Sequence, residues 1–295
     1  MTAAPLAPAL AGWAEQLRAA GVHSPAHDTR VLAATVLGIP PLEVPLRNTV
    51  SVEQRTRIDS LVDRRALREP LQHILGTAAF YGLELLVGPG VFVPRPETES
   101  LAGYTVAWLF DSADSGDSVV VDLCSGSGAL ALAVGCNVAG ATVIGVERSP
   151  AALGYAHRNL QRCRPAVVAS SIELVAGDAT DPDLLSGLSG RVDAVISNPP
   201  YIPDAAVPRD PEVRDYDPPM ALYGGDDGLA VVRGMLPVAA RLLRSGGMLA
   251  VEHGDEQGGA DGLPGLIGAA PGFDQVADHA DLAGRPRFTT AVRSG

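Results

Sequence analysis

The spacing of apolar residues changes twice along the chain. Over residues 1–75 it is helical: Leu10, Trp13 and Leu17 fall on one face, and Ser24-Pro25 opens a second helix that runs to Leu37 and is stopped by Gly38. Ser51-Val52-Glu53-Gln54 has the spacing of a capping box ahead of Ile58, Leu61, Val62 and Leu67, and Pro70 limits that helix. Residues 79–93, AFYGLELLVGPGVFV, read as two short strands around Gly88-Pro89-Gly90. From residue 97 onward, apolar runs at 119–123, 142–146, 173–176, 192–197 and 247–252 alternate with helical stretches, and two further strand candidates follow at 275–277 and 288–292. Alternation of this kind predicts a doubly wound, mostly parallel α/β sheet of seven strands. The expected organisation is a helical domain over 1–75, a β-hairpin linker over 76–95 and an α/β domain over 96–295.

Charge adds a second asymmetry. Residues 1–90 carry eight arginines and eight acids, so the net charge of −12 resides entirely in residues 91–295. An acidic α/β half disfavours duplex nucleic acid as a partner. The chain has no lysine, which excludes Schiff-base chemistry. Three cysteines without CxxC spacing suit a reducing, cytoplasmic setting and suggest neither a disulfide framework nor a metal site. No secretory signal is evident before Arg18. The longest uncharged run, 123–146, is broken by five glycines and Asn137, so no membrane span is expected.

Candidate chemistry lies at the ends of the strands. In VVVDLCSGSGALALA a strand enters a glycine turn and then a helix, so the backbone of Cys124, Ser125, Gly126, Ser127 and Gly128 can face a nucleotide-like ligand, or simply make a tight turn. The third glycine of the dinucleotide fingerprint is missing, which argues against NAD. Glu147 closes the next strand, where a carboxylate can accept two ribose hydroxyls, and Asp178 with Ala179 follows the third. At the end of the fourth strand stands Asn198-Pro199-Pro200-Tyr201. The two prolines stiffen the turn, Asn198 and the Pro199 carbonyl offer acceptors, and Tyr201 offers a ring for stacking. Ligands of open α/β sheets bind beyond the carboxyl ends of the strands, so these groups should converge on one crevice.

Together these motifs resemble the S-adenosylmethionine-dependent methyltransferases with a seven-stranded sheet, in the N-P-P-Y branch that methylates planar nitrogens. EPLQHILGTAAFYGLELLVGPGVFVPRPETE at 69–99, AVISNPPYIP, ALYGGDDGL at 221–229 and VEHGDEQG at 251–258 narrow the resemblance to the release factor glutamine methyltransferases, the HemK/PrmC family. That resemblance implies S-adenosylmethionine as cofactor, held by residues 124–128, Glu147, Asp178, Ala179 and Asn198. It implies catalytic roles for Asn198, Pro199, Pro200 and Tyr201, and as substrate the glutamine of the Gly-Gly-Gln loop of peptide chain release factors, which becomes N5-methylglutamine. No metal is implied, and a monomer is expected. The chain departs from the family at Cys124-Ser125, where glycine and threonine are usual, and at Ala179, where an aromatic or leucine is usual; both bear on adenine packing. Alternatives are an adenine-N6 DNA or RNA methyltransferase and a non-catalytic, cofactor-binding translation partner.

Three further segments carry expectations. The Pro-rich stretch 202–228 is too long for a routine connection and should form the pocket mouth. Arg95-Pro96-Glu97-Thr98-Glu99 either borders the cofactor or caps a helix. His253, alone after a strand, reads as structural.

Overall fold

The computed structural model describes residues 4–112, 117–164 and 170–295. The chain forms two compact units: one runs to Thr77 and includes Pro208–Tyr216, and the other comprises Ala78–Val207 and Asp217–Gly295. The boundaries expected at 75 and 95 do not contain the excursion at 208–216.

The first unit is helical. A two-residue strand β1 (Ala4–Pro5) precedes α1 (Leu6–Ala19) and α2 (Pro25–Leu37), and a 3-10 turn at Pro41–Leu46 leads to β2 (Thr49–Val50), which pairs antiparallel with β1. Then come α3 (Val52–Ala66) and α4 (Leu71–Leu75). Both anticipated helix signals operate: Gly38 stops α2 in the left-handed region at φ 65°, and the capping box is complete, with Gln54 N–H donating to Ser51 Oγ at 3.1 Å and Ser51 N–H donating to Gln54 Oε1 at 3.1 Å. Leu6, Trp13, Leu17, Leu32, Ile58 and Val62 form the core. Burying each such side chain is worth about 1.5–3 kcal/mol. Leu67, expected in the apolar series with Ile58, Leu61 and Val62, is exposed, because α3 ends at Ala66.

In the second unit the hairpin strands are β3 (Thr77–Phe80) and β4 (Leu83–Leu86). Their turn is Tyr81-Gly82, not Gly88-Pro89-Gly90. Tyr81 at φ 47° and Gly82 at φ 77° give the two consecutive positive φ values that a two-residue hairpin turn of matching twist requires. There follow α5 (Thr98–Asp111), β5 (Val119–Leu123), α6 (Ala129–Asn137), β6 (Thr142–Glu147), α7 (Pro150–Cys163), β7 (Ser171–Ala176) and β8 (Val192–Ser197). After α8 (Pro211–Tyr216), which belongs to the first unit, come α9 (Pro219–Leu222), α10 (Ala230–Leu242), β9 (Leu243–Glu252), α11 (Leu263–Ala269), β10 (Phe273–Ala280) and β11 (Pro286–Arg293).

The seven strands are ordered β10-β11-β9-β8-β5-β6-β7, and only β11 runs against the rest. Central strands such as β5 and β8 are almost wholly buried and mainly apolar, as expected where helices cover both faces. The outer β10 is half polar and mostly exposed, with two register shifts, which blunts an exposed edge. The order reverses at β5, which has β6 on one side and β8 on the other. The crevice of a doubly wound sheet opens there, beyond the carboxyl ends of β5 and β8. No helix among the described residues is long and apolar enough to cross a membrane.

Candidate active site

The glycine turn after β5 is built around a buried acid. Asp122 Oδ2 accepts from Ser125 Oγ at 2.6 Å and from Ala131 N–H at 3.1 Å, tying the turn to the first residues of α6. Its Oδ1 is buried with no hydrogen-bond partner. Burial pushes this carboxyl up to about 7 against the pull of those two hydrogen bonds, and the nearby Glu147 charge pushes the same way. Cys124, Gly126 and Gly128 all take positive φ, 62°, 58° and 83°. A Cβ added at Gly126 would meet nothing within 4 Å, so open space lies against bare backbone there. Burial pushes the Cys124 thiol up to about 12, which removes it as a nucleophile.

Glu147, at the end of β6, faces the same turn. Its Oε2 accepts from Gly126 N–H at 2.8 Å and its Oε1 from Ser149 N–H at 2.6 Å. Each carboxylate oxygen keeps a lone pair beyond those bonds. Asp178 accepts from Thr180 N–H at 2.9 Å and Thr180 Oγ1 at 2.7 Å, and pairs with Arg148 at 3.2 Å. Those Thr180 hydrogen bonds, with Arg148 assisting, hold it below the usual carboxylate range. Ala179 beside it is buried.

The N-P-P-Y segment leaves the end of β8, where Ser197 Oγ donates to the Leu123 carbonyl at 2.6 Å and so fixes the neighbouring strand ends against each other. Asn198 Nδ2 donates to Thr98 Oγ1 at 3.2 Å. Beyond Tyr201, Ile202 N–H donates to the Leu222 carbonyl at 2.8 Å and Gly224 N–H to the Ile202 carbonyl at 2.9 Å. Gly224 has to be glycine: a Cβ there would lie 2.5 Å from the Pro200 and Gly228 carbonyl oxygens. Gln257 Nε2 donates to the Tyr201 carbonyl at 3.0 Å. The Tyr201 phenol is raised well above its ordinary value by burial and by the Glu252 charge, so it stays neutral.

Further contacts support these residues, and Asn159 and Asp217 among them escaped the sequence reading because their roles exist only in three dimensions. Fully buried Asn159, on α7, donates to the Ser127 carbonyl at 2.9 Å and to the Leu86 carbonyl at 3.1 Å, and accepts Leu86 N–H at 2.6 Å, clamping the glycine turn to the hairpin. Arg95 pairs with buried Asp217 at 2.5 Å, and Glu99 accepts Tyr81 N–H at 2.9 Å. Segment 95–99 therefore meets the N-P-P-Y side through Thr98, and no side chain caps the start of α5. His253 is fully buried, with Nδ1 2.8 Å from the Gly254 carbonyl and Nε2 3.1 Å from Asp278, as expected of a structural histidine.

Sequence comparisons converge with this geometry. Residues 8–76 match the model of the PrmC N-terminal domain, and residues 106–210 match that of the methyltransferase small domain. The release factor glutamine methyltransferase of Mycolicibacterium smegmatis is 50% identical over 94% of this chain and 94% of its own length. The chain belongs to the release factor glutamine methyltransferase family. The Corynebacterium glutamicum member is 44% identical over 93% of this chain and 94% of its own. A 4-amino-L-phenylalanine/4-methylamino-L-phenylalanine methyltransferase of Streptomyces pristinaespiralis is also similar, 41% identical over 87% of this chain and 86% of its own. A methyltransferase structure from Pyrococcus furiosus covers 79% of this chain and 98% of its own at TM-score 0.51 and 22% identity, a likeness of fold.

Proposed function

We propose that this protein transfers a methyl group from S-adenosylmethionine to the side-chain amide nitrogen of the glutamine in the Gly-Gly-Gln loop of peptide chain release factors, giving N5-methylglutamine. The observation that carries the reading is Asn198 at the end of β8, beside the switch point of the sheet, with the end of its amide that bears N–H groups already engaged by Thr98.

The cofactor fits the residues present. Gly126 offers bare backbone beside open space, Asp122 holds the turn with one buried oxygen unpartnered, and Glu147 keeps lone pairs for two ribose hydroxyls. Residues 124–128 would hold the amino-acid portion, Glu147 the ribose, and Asp178 with Ala179 the adenine. When bound, S-adenosylmethionine supplies an electrophilic methyl group on a sulfonium.

The chain's own residues act on the acceptor. An amide nitrogen is a poor nucleophile because its lone pair is delocalised. Asn198 Oδ1 and the Pro199 carbonyl accept its two hydrogens, which orients the nitrogen and draws its lone pair out of conjugation. Pro199 and Pro200 keep those acceptors rigid, and the Tyr201 ring stacks on the amide plane. No strong general base is needed before attack, since the nitrogen becomes acidic only as the methyl group arrives. Within the sheet unit, residues 202–207 and 217–228 form the pocket mouth, the helical unit grips the body of the release factor, and the protein works as a cytoplasmic monomer. The acidity of residues 91–295 supports a protein substrate over duplex nucleic acid.

Incubation of the protein with S-adenosylmethionine and a release factor, followed by mass measurement of the Gly-Gly-Gln peptide, should show one added methylene on glutamine. Label appearing in DNA alone, or in 4-amino-L-phenylalanine alone, would replace this reading.

A further inference from the structure

A side-chain amide has two ends of opposite polarity, and only one suits a substrate whose nitrogen presents two N–H donors. If Asn198 turned its own NH2 group toward that nitrogen, donor would face donor. Something must therefore decide which way the Asn198 amide points, and a terminal amide rotates easily between both arrangements.

Three elements supply the decision. Asn198 follows β8, Thr98 opens α5, and Glu252 closes β9. Thr98 is 3% exposed and Glu252 1%, so water does not compete for their hydrogen bonds. Thr98 Oγ1 receives Asn198 Nδ2 at 3.2 Å, and the Glu252 carboxyl is lowered by hydrogen bonding with the Thr98 side chain. The second carboxylate oxygen, Oε2, is buried without a partner.

We propose that Thr98 and Glu252 are positioning residues that set the polarity of Asn198: the hydroxyl gives its single proton to the carboxylate, its oxygen can then only accept, and it captures Nδ2 so that Oδ1 faces the substrate amide. This rests on the reading of Asn198 as an acceptor. Thr98 transmits the acceptor character of Glu252 through one hydroxyl, and neither residue touches the reacting atoms.

The chain of polarity reverses when Glu252 takes up a proton. A protonated Glu252 donates to Thr98, Thr98 donates in turn to Asn198, and the amide rotates to present NH2 to the substrate. Burial pushes this carboxyl up to about 7, while Thr98, Arg287 and Arg95 pull it down and Glu97 pushes it up. Tyr201 also faces it. Asp217, raised by burial to about 6, titrates nearby but pairs with Arg95.

The test measures kcat, KM for release factor and cofactor affinity against pH in the intact protein and in Thr98→Val, Thr98→Ser and Glu252→Gln. In the intact protein, kcat should fall as pH drops through about 7. Thr98→Val keeps the shape of the residue, and it should lower kcat roughly 10- to 100-fold through misorientation, abolish the acid limb, and leave KM and cofactor affinity nearly unchanged. Thr98→Ser should restore both rate and limb. Glu252→Gln can present either end of its amide, so it should give a reduced rate without the limb, although Asp217 is intact. Wild-type kcat with an unchanged acid limb in Thr98→Val overturns the proposal, as does equal loss in the Val and Ser variants, which would assign Thr98 to packing. If Asn198→Ala is inactive while Thr98→Val is fully active, only the polarity proposal fails. If Asn198→Ala retains full activity, the acceptor reading itself fails.

Discussion

Glu212 and Glu252 are both withdrawn from bulk water, yet they end in opposite electrostatic settings. Glu212, on the excursion that belongs to the helical unit, takes two hydrogen bonds from the Arg68 guanidinium at 2.8 and 2.6 Å and a third contact from Arg65 at 2.7 Å; Arg65 in turn holds Asp28 at 2.8 Å. Burial would raise the Glu212 carboxyl, but the hydrogen bonds from Arg68 and Arg65 outweigh it and bring it down to about 2. In the sheet unit Asp122 and Glu252 are each fully surrounded, each leaves one oxygen without a partner, and burial lifts both to about 7. Arginine neutralises acids where the fold is being held together. Acids are left under-satisfied beside the proposed site, the kind of perturbed group that functional sites often contain.

The largest expected effect lies on the functional side of this contrast. Asn198→Ala should lower kcat about 100- to 1,000-fold, the loss seen when one preorganised polar contact is removed from a reacting group. Thermal midpoint and cofactor affinity should stay close to wild type; a matching loss of stability would place Asn198 on the structural side. Next, Glu212→Ala leaves buried Arg65 with Asp28 as its remaining carboxylate and takes the fork from Arg68, which should destabilise the helical unit by ~3 kcal/mol. The two tryptophans make this measurable unit by unit: Trp13 is in the core of the helical unit and Trp108 is on α5. With Trp108→Phe as background, the urea transition of Trp13 fluorescence should shift, and an unchanged midpoint would empty the comparison.

A third and smaller effect is a pair of opposed pH responses. The Glu212 carboxyl lies lower in the folded than in the unfolded chain, so its stabilisation is present above the ordinary glutamate value of 4.5 and is lost as pH falls toward about 2. Asp122 and Glu252 lie higher in the folded chain, so their contribution is complete below 3.8 and 4.5 and is lost as pH rises through about 7. Single-tryptophan variants, Trp108→Phe and Trp13→Phe, should therefore show the helical unit weakening in acid and the sheet unit weakening toward alkaline pH. Parallel curves would contradict the contrast. Smallest is Cys124→Gly: relief of a left-handed φ of 62° should stabilise the sheet unit by less than about 1 kcal/mol, read as a slight rise in midpoint.

Much of this was legible in the sequence wherever the determinant is local. Strands β5 and β8 match the runs at 119–123 and 192–197 to the residue, and Ser51 with Gln54 declares its capping box through spacing alone. The hairpin turn was misplaced because Gly88-Pro89-Gly90 is the stronger breaker by composition, whereas Tyr81-Gly82 is selected by strand pairing. Strand β9 begins four residues before the expected 247 because Arg244, Ser245 and Gly246 interrupt its apolar pattern. Gly126 and Glu147, both expected at the carboxyl ends of the strands, are joined by a direct hydrogen bond. Thr98, Asn159 and Gln257 were invisible as supports, since each acts on a residue at least 32 positions away.

The excursion at Pro208–Tyr216 also has a temporal consequence. Arg68 and Glu212 are 144 residues apart in sequence. At roughly 5–20 residues per second, a ribosome takes on the order of 7–30 s to travel between them. During that interval the first unit has its helices but not the acid that seats Arg65 and Arg68, so its last structural member is delivered only after four of the seven strands of the large sheet, β5, β6, β7 and β8, have been synthesised. The unit encoded first is thus completed late, and a fragment ending at Thr77 would lack part of its own fold.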